Sequence, residues 1–257
     1  MPIRPPAAIL SPLLMERDRL VGAIGGTIRQ TFAAAEAGCV GDAGEVDKLV
    51  YFFLEGLPLI EDQFNRILGS HGVRTTLSGI FCHQTPTVTP APMQPGLGRS
   101  CELGDLLFLV TYGKRLYGSF LGNAMLVQAK LDARAVEGTL QEHLYRTATD
   151  FTYTTPRALA GEQRFLYECT HALWFWGFEP RYRWPVPYET EGIRARRHGG
   201  RIASMPFEIA LADLICGVNG RRARMLHAGA TDAGWSRIVD DLIRHTARSA
   251  FRRQNAY

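Results

Sequence analysis

Apolar residues recur along this chain first at the period of a helix and later at that of a strand. Leu13, Leu14, Leu20, Val21, Ile24, Ile28 and Phe32 fall at helical spacing, which predicts an amphipathic helix over residues 12–36. Gly38, Gly41 and Gly44 mark a loop. A second helical pattern runs through Val46, Leu49, Val50, Phe53 and Leu57 and continues in Ile60, Phe64, Ile67 and Leu68. Pro58 is expected to kink or divide it, and Gly69 and Gly72 to stop it.

The pattern then changes period. VRTTLSGIFCH (73–83) is rich in β-branched and aromatic residues and reads as a strand. The proline-rich connection QTPTVTPAPMQPGLG (84–98) is expected to sustain neither a helix nor a central strand. LGDLLFLVTY (103–112) and NAMLVQAKL (123–131) are apolar almost throughout, as strands covered on both faces should be. Residues 134–147 look helical, with Val136, Leu140 and Leu144 on one side. RFLYECTHALWFW (164–176) suits a strand or a buried helix, and PRYRWPVPYE is held extended by its prolines. The span 190–201 reads as a polar loop, and residues 206–218 and 233–251 as closing helices. With no internal repeat and no linker, one domain over residues 1–257 is expected.

Composition adds limits. A chain of 257 residues with 46% hydrophobic and 21% charged residues is ordinary for a soluble globular protein. No stretch reaches the roughly 20 consecutive apolar residues that a membrane span needs. The N-terminus, broken by prolines and followed at once by charges, reads as a leading arm and helix and not as a signal peptide. Five widely spaced cysteines with no C-x-x-C suggest reduced, packed thiols in the cytoplasm. Cys82 and His83 with Cys101, or Cys169 with His171, lack the usual spacing of zinc ligands. The net charge of +4 is uneven: residues 181–257 carry 14 Arg against 7 acids, while the rest is mildly acidic. That asymmetry fits either a surface facing a polyanion or an Arg-rich composition with no such role.

Candidate chemistry starts from a lysine. Of 29 basic residues only Lys48, Lys114 and Lys130 are lysines, and Lys130 stands inside an apolar strand. Arg stays protonated and is a bulky fork, whereas Lys is a compact charge whose pKa moves on burial. Residues two apart on a strand share a face, so Gln128 and Lys130 project together with Leu126 and Ala124. Asp105 lies near the start of the preceding strand. If the strands are neighbours, a carboxylate, an amide oxygen and an ammonium converge, and the two oxygens suit Mg²⁺. A Lys beside that ion could position an attacking water while the ion offsets charge building on a phosphate. Plainer roles stand beside these: Asp105 capping a turn after Gly104, Gln128 as a satisfied core amide, Lys130 reaching water from an edge strand.

The order helix–strand–strand–strand–helix, with Asp105 on the second strand and Gln128-Ala-Lys130 on the third, resembles the PD-(D/E)xK nuclease superfamily in its Gln-x-Lys variant. HQTPTV (83–88), CELGDLL (101–107) and LVQAK (126–130) look, more narrowly, like a group of bacterial restriction-endonuclease-like proteins. The resemblance covers about residues 45–150 and implies an α/β fold with a central mixed β-sheet flanked by helices. The N- and C-terminal helices, and a basic extension over about 181–257, would be additions to that core. It implies Asp105 as a metal ligand, Gln128 as a second ligand through its side-chain oxygen, and Lys130 as the residue that orients or activates water. An acidic residue from the first core helix often joins them; Glu61 fits best, with Glu55 and Asp62 as rivals. Gly104 stands where the family name has proline, and the neutral Gln128 removes a negative charge that Glu61 or Glu102 would have to supply.

The implied activity is Mg²⁺- or Mn²⁺-dependent hydrolysis of DNA phosphodiester bonds, with RNA left open, in an anti-phage or mobile-element system with partner proteins or further copies of the chain. The alternative is a relative that has lost catalysis and serves as a nucleic-acid-binding or assembly subunit. For contact with nucleic acid the candidates are His83, Gln141 and Tyr145 (one helical turn apart), and Arg194, Arg196, Arg197 and Arg201, since Arg matches phosphate bidentately. Trp174, Trp176, Tyr182 and Trp184 suit base stacking or, equally, a core.

Overall fold

The computed structural model describes residues 7–93, 96–110, 120–130, 139–147, 150–165, 170–175, 184–185, 188–189, 204–205, 207–218, 220–224, 226 and 234–246. The described residues open with helices α1 (Ala7–Met15), α2 (Arg17–Gly38) and α3 (Glu45–Tyr51). Pro58 leaves the mark expected of it. A single π-turn, Phe52–Gly56, precedes α4 (Leu57–Leu68), and the Leu57 amide donates five residues back to Phe52. Pro58 has no N–H to give and its ring crowds the preceding turn, so the helix widens there and re-forms beyond it. A 3₁₀ turn (Gly69–His71) and Gly72, at φ 68°, end the helical layer.

Six strands form a mixed sheet. In order these are β1 (Leu77–Phe81), β4 (Leu106–Val110), β5 (Phe120–Lys130), β8 (Thr170–Phe175) and β10 (Tyr188–Glu189), with β12 (Arg221–Arg224) also on β5. β1 pairs with β4 and β4 with β5 antiparallel, β12 is antiparallel to β5, and β8 lies parallel to β5. The 11-residue β5 is the axis: β4 lies along one edge, while β8 and β12 share the other end to end. A second, antiparallel sheet contains β2 (Thr87–Ala91), β3 (Cys101–Glu102), β6 (Asp150–Tyr153) and β7 (Gln163–Phe165) in the order β3-β2-β6-β7. A short pair joins β9 (Trp184–Pro185) to β11 (Ser204–Met205). Helices α5 (Leu140–Thr147), α6 (Phe207–Ile215) and α7 (Trp235–His245) complete the described elements.

Alternation sorts the side chains of the main sheet. Leu106, Phe108, Val110, Met125, Val127 and Ala129 pack with residues of α2, α3, α4 and α6. Leu107, Ala124, Leu126 and Ala223 meet Leu144 of α5, Val88, Phe151 and Tyr153 of the small sheet, and Trp235, Ile238 and Leu242 of α7. Cover on both faces is why β4 and β5 read as continuous apolar runs. Burying each of these large side chains stabilises by about 1.5–3 kcal/mol.

Two expectations change. The proline-rich segment does carry a strand, β2, and Pro90 is tolerated because β3 pairs only with Thr87 and Val88, leaving Pro90 with a partner on one side. The terminal helices are also more than additions. Phe207 of α6 packs against Phe52 and Phe108 with ring centroids 6.2 and 5.7 Å away, and Arg17 of α2 reaches Asp213 of α6 at 2.7 Å. Within 164–176 the described residues belong to strands β7 and β8, and α5 is described from Leu140 on. Among the described residues no helix is long and apolar enough to cross a membrane.

Candidate metal centre

Asp105 stands one residue before β4, and its backbone continues two ladders at once. Its amide donates to Val127 O at 2.9 Å, and its carbonyl accepts from Cys82 N at 2.6 Å. The register Leu106↔Val127, extended by one residue, sets Asp105 beside Gln128. Chain parity gives Asp105 the face of Leu107, and Gln128 the face of Leu126. The expected convergence of second and third strands is therefore present, on the face that α5 covers.

The Asp105 carboxylate is fully buried, and each oxygen has a partner. Oδ2 accepts from the Ala129 amide at 2.7 Å and from the Gln128 side-chain amide. Oδ1 lies 3.0 Å from His83 Nδ1. Gln128 turns its own oxygen away, towards the Gln141 side-chain amide at 2.9 Å. The Glu102 carboxylate completes the group, with Oε1 3.5 Å from His83 Nδ1 and 2.8 Å from the Gln84 amide that it accepts. Gln84 adopts a left-handed conformation at φ 64°, uncommon for a residue with a side chain, in the turn that carries His83 out of β1. The His83 side chain is 13% exposed and that of Glu102 19%, so the cluster meets solvent on the side away from Asp105.

Electrostatics follow from this packing. The bond to Asp105 raises the His83 pKa, with the Glu102 and Asp105 charges adding to it and burial opposing it. Burial, and then the Asp105 charge, push the Cys82 thiol up; burial and Glu102 push Cys101 up to about 12. Both thiols stay protonated at neutral pH and are poor metal ligands. Among the described residues the group able to hold a metal is His83, Glu102 and Asp105, with one donor atom from each within 4.8 Å of the others. Two carboxylates and an imidazole are a chemically reasonable set for a divalent ion.

The predicted residues divide accordingly. Asp105, Gln128, His83 and Gln141 come together, but Gln128 holds the Asp105 carboxylate and does not offer its oxygen beside it. Glu61 lies elsewhere. Its Oε2 accepts the Leu77 amide at 2.8 Å, and Leu77 opens β1 whereas Asp105 lies beyond its far end. Four residues of strand separate the two ends, roughly 13 Å. Glu61 lines a separate cleft of about 460 Å³ with Phe53, Leu57 and Leu77. Its rivals fare no better: Asp62 pairs with Arg66 on the surface, and Glu55 is exposed on the π-turn. Glu102, considered only as a compensating charge, is the second carboxylate. Its signal was the spacing Glu102-Leu103-Gly104-Asp105, two acids on either side of a glycine just before an apolar strand.

Lys130 closes β5 opposite Phe175 of β8, two residues past Gln128. Its side chain, like that of Tyr145 on α5, lies outside the described residues, as do Arg194, Arg196, Arg197 and Arg201. Two of the C-terminal arginines are paired internally: Arg237 and Arg244 meet Asp240 at 3.6 and 2.9 Å.

No protein-family model, no curated protein and no solved structure matches the chain. Fold and site define it as a mixed α/β protein with a His–Glu–Asp group where one end of the central sheet meets β3 of the small sheet.

Proposed function

We propose that this protein is a metal-dependent nuclease that hydrolyses phosphodiester bonds in DNA. One observation carries the reading. A fully buried Asp105 meets His83 and Glu102 at the end of a sheet whose neighbouring strand finishes in Gln128-Ala-Lys130. The element order α4, β1, β4, β5, α5, with the β2–β3 segment inserted, supports the restriction-endonuclease-like resemblance.

Asp105 and Glu102 would hold the cation, Mg²⁺ or Mn²⁺. The bound ion supplies an acidified water and offsets charge growing on the phosphate. Gln128 and the Ala129 amide fix the Asp105 carboxylate in orientation. Gln141 fixes Gln128 in turn. Lys130 orients the attacking water. Because Glu102 restores the negative charge that Gln128 lacks, the neutral third-strand residue does not leave the site short of carboxylates.

A second reading, a nucleic-acid-binding or assembly subunit without catalysis, draws on the closure of the Asp105 network. Both carboxylate oxygens are already satisfied within the protein. Purified protein incubated with plasmid, linear duplex, single-stranded DNA and RNA separates the two. The nuclease should cut with Mg²⁺ or Mn²⁺ and lose the activity with EDTA, Asp105→Ala or Lys130→Ala. Equal cutting by wild type and both variants would refute this assignment, and metal-independent retention of DNA without cleavage would favour the second reading.

A further inference from the structure

We propose that His83 is the third protein ligand of this site through Nδ1, and that the site consequently selects a first-row transition cation, with Mn²⁺ the probe, over Mg²⁺. The assignment rests on the metal-dependent reading of the same cluster and goes beyond it in naming a nitrogen donor and the class of ion that donor prefers.

The spacing of the donors is the first argument. His83 Nδ1 lies 3.0 Å from Asp105 Oδ1 and 3.5 Å from Glu102 Oε1. Ligands about 2.1 Å from a shared ion lie roughly 3.0–3.5 Å apart, depending on whether the angle between them is square or tetrahedral. Both pairs already stand at the separation of a coordination edge. His83 Nδ1 faces both carboxylates at once, and the three donor atoms lie within 4.8 Å of one another.

The second argument is the division of labour on Asp105. Its Oδ2 is held by the Ala129 amide and the Gln128 side chain, both from β5. Its Oδ1 faces His83. A ligating carboxylate is commonly anchored by one oxygen and free to bind through the other. Glu102 differs: the Gln84 amide donates to Oε1, the same oxygen that faces His83, and so holds that donor atom directly. The polar partners around the cluster therefore hold the donors in place.

The third argument decides the ion. A third protein oxygen beside the two carboxylates would have to come from Gln128, and that oxygen instead accepts from Gln141. The third donor is therefore an imidazole. Mg²⁺ prefers oxygen ligands and gives up its waters reluctantly, whereas imidazole binds first-row transition ions well. Cys82, the neighbouring soft candidate, is buried with its thiol directed to Ile80 O at 3.4 Å and stands outside the group.

The test uses the full chain, stripped with EDTA and titrated with Mn²⁺ while free Mn²⁺ is followed by electron paramagnetic resonance. One Mn²⁺ should bind per chain and survive Mg²⁺ in about hundredfold excess, and His83→Ala should weaken Mn²⁺ binding about 10–100-fold while leaving Mg²⁺ binding nearly unchanged. Should that variant misfold, electron spin-echo modulation on the Mn²⁺-loaded wild type gives the answer directly, since a bound imidazole imposes a nitrogen coupling. Absence of that coupling, or equal affinity for the two ions, overturns the assignment. Nitrogen-coupled Mn²⁺ without DNA cleavage keeps the assignment and rejects the nuclease; Mg²⁺-supported cleavage indifferent to His83→Ala does the reverse.

Discussion

Asp241 and Asp105 are both buried beside a basic side chain, and the surroundings treat them differently. Asp241 of α7 meets Arg164 of β7 at 2.7 Å, and the Arg164 guanidinium lies 5.6 Å from the centre of the Tyr153 ring. Burial raises the Asp241 carboxyl even though Arg164 pulls it down. Arg cannot give up its proton, so this pair is committed and ties the small sheet to α7. Asp105 is buried at least as deeply, yet its partners are an imidazole, a side-chain amide and a backbone N–H. Among them only His83 can exchange a proton for a metal ion. Burial of an acid marks both places, and the exchangeability of the partner separates the clamp from the candidate site.

The largest effect that bears on this contrast is on stability. Asp241→Ala removes the buried partner of Arg164, leaving it the exposed Glu162 at 3.2 Å, and should cost about 3 kcal/mol in urea unfolding, with or without divalent metal. A loss below about 1 kcal/mol would mean that solvent reaches Arg164 and that the clamp is not one. A smaller effect is expected at the other site. Gln141→Ala removes one hydrogen bond to Gln128, which should cost about 0.5–1.5 kcal/mol. It should also lower Mn²⁺ affinity measurably by loosening the amide that holds Asp105. Unchanged affinity alongside reduced stability would make Gln141 a packing residue only.

Much of this was legible in the chain because local periodicity encodes faces. The apolar runs around Leu106–Val110 and Ala124–Ala129 specify strands covered on both sides, and parity along them puts Gln128 on the face of Leu126. Adjacency of those strands brings Asp105 to Gln128. What periodicity does not encode is which end of a strand a helical residue reaches. Glu61 has the right residue type on the right helix, yet α4 delivers it to the start of β1. Side-chain direction is equally hidden: the sequence says that residue 128 is an amide, and only packing against α5 determines that its nitrogen meets Asp105. His83 and Asp105 are 22 positions apart, joined through the β1–β4 register, with a proline-rich excursion into a second sheet between them. That excursion, expected to sustain neither a helix nor a central strand, supplies β2, and with it the pairing that places Glu102 on β3.

The central claim is that Asp105, Glu102 and His83 form one metal centre. Crystals soaked in Mn²⁺ and measured at the manganese absorption edge test it most directly. A single strong anomalous peak is expected within about 2.3 Å of Asp105 Oδ1, Glu102 Oε1 and His83 Nδ1, with Gln128 outside the coordination sphere. A peak coordinated by the Gln128 oxygen and not by His83, or Mn²⁺ bound only at surface carboxylates, would contradict it.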